Sequence, residues 1–281
     1  MYTTGKIILL TGATSGIGLE LARYFAVQHL RLILVCRSKQ SSDQLQAALS
    51  AGLKAELTIL YCNLESKQEV LHLCKQIEEV TSRIDVCIFN AACIISSYQT
   101  TIDGIEKQLA VNHLSSYVMA ARLLPLLKQA RIVFVSSRVY NIANTAYRMV
   151  LGNSGYYHPT LAYAETKLMN LLFANYLSGL MVDAGGRVAI VHPGTVKTQI
   201  GNKHATRLHA LMWNLMKFFA RSPAQAATDI LQVLNRTDSE LVPGTIWMKG
   251  KAYPLEKKLT IANMTTGMLA ISSRLTGITI S

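Results

Sequence analysis

Ile7-Ile8-Leu9-Leu10-Thr11-Gly12-Ala13-Thr14-Ser15-Gly16-Ile17-Gly18 is the stretch on which the reading of the chain turns. Its first four residues form a short, apolar, partly β-branched run, the pattern of a buried strand. From Gly16 to about residue 28 the pattern becomes helical. A side chain at Gly12 or Gly16 would block the tight turn between them and keep a pyrophosphate from the backbone N–H groups. Gly18 allows the helix to pack closely on the strand, and the helix N-terminus turns its positive dipole end toward the phosphates. Three glycines alone are weak evidence. A strand before them and a helix after them make the reading specific for a dinucleotide.

The same rhythm continues outward. The runs IILL (7–10), LILVC (32–36), LTILY (57–61), VCIF (86–89), IVFV (132–135) and VAIV (188–191) read as buried strands. Helix-like segments follow near 16–28, 41–51, 66–82, 103–128, 161–183 and 223–235, and a seventh strand is expected near 244–248. Continuous apolar strands alternating with helices imply a mostly parallel sheet covered on both faces. The predicted fold is therefore α/β, a Rossmann-type doubly wound sandwich of seven strands, with residues 1–281 as one domain. Two segments break the rhythm at the carboxyl edge of the strands, where such sheets bind ligands. These are 138–160 and 197–222. In the second, Leu208, Leu211, Met212, Leu215, Met216 and Phe219 recur at helical spacing, the pattern of a substrate lid but equally of a core-facing, dimer-contact or membrane-interface helix.

Bulk properties narrow the class. Half of the residues are hydrophobic and only 16% are charged, which argues against disorder. No apolar run approaches the roughly 20 residues of a membrane span, and the start lacks a signal-peptide pattern. A cytoplasmic protein is expected. Cys36, Cys62, Cys74, Cys87 and Cys93 are odd in number and show no CxxC spacing, so no metal site or disulfide framework is read from them. The net charge is +12, and residues 187–281 hold 12 Lys/Arg against 4 Asp/Glu. Peripheral contact with an acidic membrane is one explanation and a solvated basic surface another. No recognition-helix pattern points to nucleic acid.

The end of the second strand selects the cofactor. A carboxylate there would bond a ribose 2′-hydroxyl and repel a 2′-phosphate. Here Cys36-Arg37-Ser38-Lys39 offers none before Asp43. Arg37 can meet a 2′-phosphate with its guanidinium fork, so NADP(H) is the expected cofactor. The chemistry is read from Tyr163-Ala164-Glu165-Thr166-Lys167. One helical turn separates phenol from ammonium, and the cation is expected to lower the tyrosine pKa toward working pH, fitting Tyr163 to exchange a proton with an alkoxide. Tyr2…Lys6 and Tyr253…Lys257 share the spacing but lie in poor helical contexts. Ser136 and Ser137 end strand five, where a hydroxyl can hold a carbonyl. Asn112 lies mid-helix after strand four, a mild propensity cost that suggests a polar role. Asn90, Ala91 and Ala92 are expected beside the nicotinamide ribose, and Pro193, Gly194 and Val196 form a rigid turn with free N–H groups for the carboxamide.

Together TGATSGIG, NAAC, VNHL, VSS, YAETK and HPGTV resemble the short-chain dehydrogenase/reductase family over about residues 5–250. The CR pair, VNHL, HPGTV and the 26-residue step from Ser137 to Tyr163 look like its retinol dehydrogenase and WW-domain oxidoreductase branch. The resemblance implies a catalytic set of Asn112, Ser137, Tyr163 and Lys167, in which Ser137 holds the carbonyl, Tyr163 transfers the proton, Lys167 binds ribose and tunes Tyr163, and Asn112 supports a relay water. It also implies that Ile17, Asn90, Pro193 and Thr198 line the cofactor, with Gly12, Ser15, Gly16 and Gly18 in the phosphate loop. Departures are Cys93, where the family has glycine, and Asn63 before Leu64, where it has aspartate. The Asn63 amide oxygen can still accept from adenine. The implied function is NADP(H)-dependent interconversion of a hydrophobic ketone or aldehyde and its alcohol. The alternative is a nucleotide-sensing or scaffolding protein on the same fold. The family also forms homodimers and homotetramers.

Overall fold

The computed structural model describes residues 4–152, 156–196, 221–256 and 262–280. Eight strands form one sheet in the order β3-β2-β1-β4-β5-β6-β7-β8. They are β1 (Ile7–Thr11), β2 (Arg31–Cys36), β3 (Glu56–Tyr61), β4 (Val86–Phe89), β5 (Arg131–Val135), β6 (Arg187–His192), β7 (Thr245–Met248) and β8 (Lys251–Pro254). The first seven are parallel, as the continuous apolar runs require, and β8 pairs antiparallel with β7. The expected count of seven is corrected to eight. Lys251-Ala252-Tyr253-Pro254 is exposed along its length and carries no apolar run, so it lacked the signature of a buried strand. It is joined to β7 through Lys249 and Gly250, both with positive φ (50° and 72°), the backbone signature of a tight hairpin.

Alternate strand residues feed two separate cores. Ile7, Leu9, Ile33, Val35, Ile132, Phe134, Val188 and Ile190 point to one face, and Ile8, Leu10, Leu32, Leu34, Val133, Val135, Ala189 and Val191 to the other. The second face is covered by α1 (Gly16–Ala26), α2 (Lys39–Leu49) and the helix Pro223–Leu234. The first is covered by α3 (Lys67–Val80), by α4 (Ser115–Arg122) and by α5 (Pro159–Met181). The helix over Pro223–Leu234 is α6, and α7 spans Ala262–Thr276.

The segment after β4, expected as one long helix, is broken. A turn at Lys107–Leu109 runs into a π-helical turn at Ala110–Leu114 and only then into α4. A π turn widens the helix by one residue and shifts the side chains beyond it, a device frequent at functional sites. Asn112 sits inside it. The helix α7 was not foreseen. It packs on α5, which explains why α5 is buried nearly all round, from Ala162 to Met181, instead of on one stripe.

Candidate active site

The reversal of strand order between β1 and β4 leaves a crevice at their carboxyl ends. Thr11 and Asn90 hold it together. The Asn90 Nδ2 donates to Thr11 O at 3.0 Å and Gly12 O at 3.1 Å, while Thr11 Oγ1 accepts from Asn90 N and Ala91 N at 3.1 and 3.2 Å. Asn90 therefore spends its amide hydrogens on tying the glycine loop to β4. Gly12 and Gly16 take φ of 70° and 56°. A Cβ on Gly12 would lie 2.8 Å from Asn90 Nδ2, and one on Gly18 would fall onto Gly12 O. The cradle thus demands glycine at both positions. Ser15 precedes α1 without capping it through its side chain, so the first amides of α1, from Gly16, Ile17 and Gly18, lack that partner. A phosphate suits such donors.

Farther along the edge, Arg37 is exposed at the end of β2 and has no hydrogen bond or ion pair among the described residues. Ser38 caps α2 beside it. Asn63 accepts from Glu65 N at 3.3 Å through Oδ1, a local turn that leaves a second lone pair, and Leu64 is half-buried against the core. Ala91 and Ala92 are half-buried small residues. These features fit a dinucleotide: a cradle that a Cβ would fill, uncapped amides and a free guanidinium at the adenosine end.

At the other end, Lys167 Nζ lies 5.4 Å from the centroid of the Tyr163 ring and donates to Val135 O, at the tip of β5, at 3.0 Å. Ser137 follows two residues later, half-buried, and its Oγ accepts from Val139 N at 3.4 Å to begin a 3-10 turn over Arg138–Ile142 that packs on α5. The neighbouring Ser136 Oγ is buried without a partner among the described residues. Burial pushes Lys167 down to about 8 and raises the Tyr163 phenol above its ordinary range, with the nearby Cys93 thiol adding to the rise. The expected lowering of the tyrosine by its lysine is corrected here. Desolvation penalises both charged forms and outweighs the attraction between them.

Asn112 supplies the connection between the two halves. Its Oδ1 accepts from Cys93 N at 2.7 Å, and its Nδ2 donates to Cys93 O at 2.9 Å and to Thr166 Oγ1 at 3.2 Å. Thr166 in turn donates to Tyr163 O at 2.8 Å. The Asn112 side-chain amide thus fixes the Cys93 loop against the turn that bears Tyr163. Cys93 is half-buried, unlike the other four cysteines, and burial raises its thiol to about 12. All five cysteines are free.

Beyond β6, Pro193 is buried and Gly194 takes φ 83°. The turn is clamped by a residue that the sequence reading did not single out, Arg221. Arg221 donates to Pro193 O at 3.0 Å, pairs with Asp229 through both guanidinium nitrogens, and bridges Val196. Val196 and Arg221 flank residues 197–220, so this clamp brings the two ends of that insertion together. Thr198 and the stripe from Leu208 to Phe219 lie outside the described residues. Among the described residues no cluster of His, Cys, Asp or Glu could hold a metal ion, and no helix is long and apolar enough to cross a membrane.

A fold with this cradle, and with phenol and ammonium adjacent at the end of β5, defines a nucleotide-binding oxidoreductase scaffold. The short chain dehydrogenase family model matches residues 6–208, and the chain belongs to that family. Retinol dehydrogenase 14 of Mus musculus is 29% identical over 290 residues, covering 98% of this chain and 86% of that protein. WW domain-containing oxidoreductase of Gallus gallus is 28% identical over 252 residues, 86% of this chain and 61% of that protein. A short-chain dehydrogenase from Sphingobium yanoikuyae, solved with NADPH, superposes with a TM-score of 0.68 at 21% identity over 95% of each chain, a likeness of fold. The chain is an oxidoreductase of the retinol dehydrogenase-like branch.

Proposed function

We propose that this protein reduces a hydrophobic ketone or aldehyde with NADPH, using Asn112, Ser137, Tyr163 and Lys167. The observation that carries the reading is the placement of Lys167 Nζ against the Tyr163 ring while it is bonded to the end of β5, two residues before Ser137. A bound nicotinamide would supply the hydride. The residues of the chain do the rest. Ser137 donates a hydrogen bond to the carbonyl oxygen and holds it toward Tyr163. The raised pKa keeps the Tyr163 phenol protonated at neutral pH, the state required to give a proton to the forming alkoxide. Lys167, held by Val135 O, keeps a positive end near that phenol and is placed to bond the ribose.

NADP(H) is supported by Arg37, exposed and unpaired among the described residues, with no carboxylate before Asp43. Five free cysteines fit a reducing, cytoplasmic setting. The hydrophobic substrate class rests on the apolar stripe of residues 208–219 and on the names of the relatives. Binding of NADPH and NADH is compared by fluorescence titration, and NADPH consumption is then followed against a panel of lipophilic carbonyls. The proposal expects NADPH to bind at least about tenfold more tightly than NADH and at least one lipophilic carbonyl to be turned over. Activity confined to small hydrophilic sugars would contradict the substrate class.

A further inference from the structure

Three side chains donate to main-chain carbonyls of the π turn that carries Asn112. Ser115 Oγ donates to Val111 O at 2.8 Å, Ser116 Oγ to His113 O at 2.9 Å, and Asn170 Nδ2 to Asn112 O at 2.6 Å. The last bond decides the orientation of the Asn170 amide. With Nδ2 turned to a carbonyl, Oδ1 faces His113 Nδ1 at 2.9 Å and can only accept, so His113 Nδ1 carries the proton. Burial pushes His113 down to about 4 and keeps the ring neutral. Its bare Nε2 then accepts from Ser272 Oγ of α7 at 2.8 Å. Ser272 Oγ also lies 2.9 Å from Met268 O, so its one proton is shared between two acceptors. His113, Asn170 and Ser272 are all buried, and Phe173 and Tyr117 pack around the His113 ring.

We propose that Ser272, His113 and Asn170 form a positioning relay through which α7 sets the main chain at Asn112, and with it the Cys93 loop and the Tyr163 turn. The relay is continuous in hydrogen bonds: Ser272 to His113, His113 to Asn170, Asn170 to Asn112 O, and Asn112 to Cys93 and Thr166. None of the three touches reacting atoms. They are positioning residues, and α7 is part of the catalytic unit instead of an appended cover.

The catalytic consequence rests on the proposed function, but the geometric one does not, and one experiment separates them. Alkylation of each cysteine by a maleimide is followed by peptide mass spectrometry in the full chain and in His113→Phe, Asn170→Leu and Ser272→Ala. With the relay broken, Cys93 reacts at least about tenfold faster, while Cys74 and Cys87, buried in the same core, keep their wild-type rates. Where a carbonyl substrate has been found, kcat falls by about 10- to 100-fold with the NADPH KM unchanged, the mark of a displaced reacting group. His113→Asn retains a donor at the Nδ1 position but loses the acceptor toward Ser272, so it is expected to match Ser272→Ala in both effects and not to exceed it. Ser272→Ala removes a single hydroxyl and carries the test should the bulkier variants fail to fold. Unchanged Cys93 labelling would overturn the relay, as would a parallel rise at Cys74 and Cys87, which signals general loosening. Absence of turnover with Cys93 labelling raised would keep the relay and remove the proposed function.

Discussion

Arg37 and Gly18 show how much of this site rests on single residues. The Arg37 guanidinium has no protein partner among the described residues to leave, so the proposed interaction with a 2′-phosphate would cost little reorganisation. A charge-assisted pair contributes about 1.5–3 kcal/mol. Arg37→Glu should therefore raise the NADPH KM by about 100-fold and leave the NADH KM within a few-fold, as read from paired steady-state titrations. Equal effects on both would remove the assignment. Gly18→Ala puts a methyl onto Gly12 O and is expected to lower the melting temperature and NADPH affinity together. Glu165 is buried among a different set of partners. Its Oε2 accepts from Met149 N and Val150 N at 3.0 and 3.1 Å, and its Oε1 is buried without a partner among the described residues. Burial raises it from 4.5 to about 7. Between those values the folded chain holds a proton that the unfolded chain releases. Its contribution is thus greatest below the lower value and is lost as pH rises to the upper. Buried His113 and half-buried His192, both lowered to about 4, act with the opposite sign below pH 6.5. The component is therefore read by difference in thermal denaturation: from pH 4.5 to 7.5 the stability of Glu165→Gln should fall less, or rise more, with pH than that of the wild type. An unchanged slope in the variant would refute the role of Glu165.

The elements around the crevice owe their positions to partners distant in sequence. Arg221, near the end of the 197–222 insertion, ties the turn after β6 to α6. Asp229, its partner on α6, is only 7% exposed at the side chain. Removal of one member strands the other in a low-dielectric setting, at a cost of about 3 kcal/mol or more. Arg221→Met should lower the urea-unfolding free energy by that amount, and Arg221→Met with Asp229→Leu should recover part of it. Additive losses would contradict the clamp. This pairing was not legible in the sequence, because Arg221 stands in an insertion and its partner eight residues away on a helix carries no motif. Asn170 was more nearly legible. It interrupts Leu168-Met169-Asn170-Leu171-Leu172-Phe173, a run apolar on all sides, and an amide in such a run must find protein partners. The π turn was not legible, since VNHL fits a regular helix equally well and the extra residue is imposed by what packs around it.

For the molecule as a whole, the sheet was readable because parallel strands buried on both faces leave continuous apolar runs, and all seven expected strands lie within a residue or so of their observed bounds. What escaped reading was whatever lacked that signature. β8 is polar and exposed, and α7 presents a mixed face whose buried members include Met268, Ser272 and Thr276, of which Ser272 acquires meaning only against His113. The glycine cradle and the Tyr163-Lys167 pair were visible because their spacing is local. The ties that set their distance, from Asn90 to Gly12 and from Asn112 to Cys93, span loops far apart in the chain. The direction of the Tyr163 shift was missed for a related reason. Spacing reports the lysine beside a phenol but not the desolvation that both undergo.

The central claim, that the Tyr163 phenol is the proton donor beside a bound nicotinamide, is tested most directly by Tyr163→Phe. NADPH affinity from fluorescence titration and kcat on a carbonyl substrate of the wild-type protein are measured together. A Kd within a few-fold of wild type with a kcat lower by about 10²- to 10⁴-fold is the result predicted here. Turnover by Tyr163→Phe at the wild-type rate would contradict it.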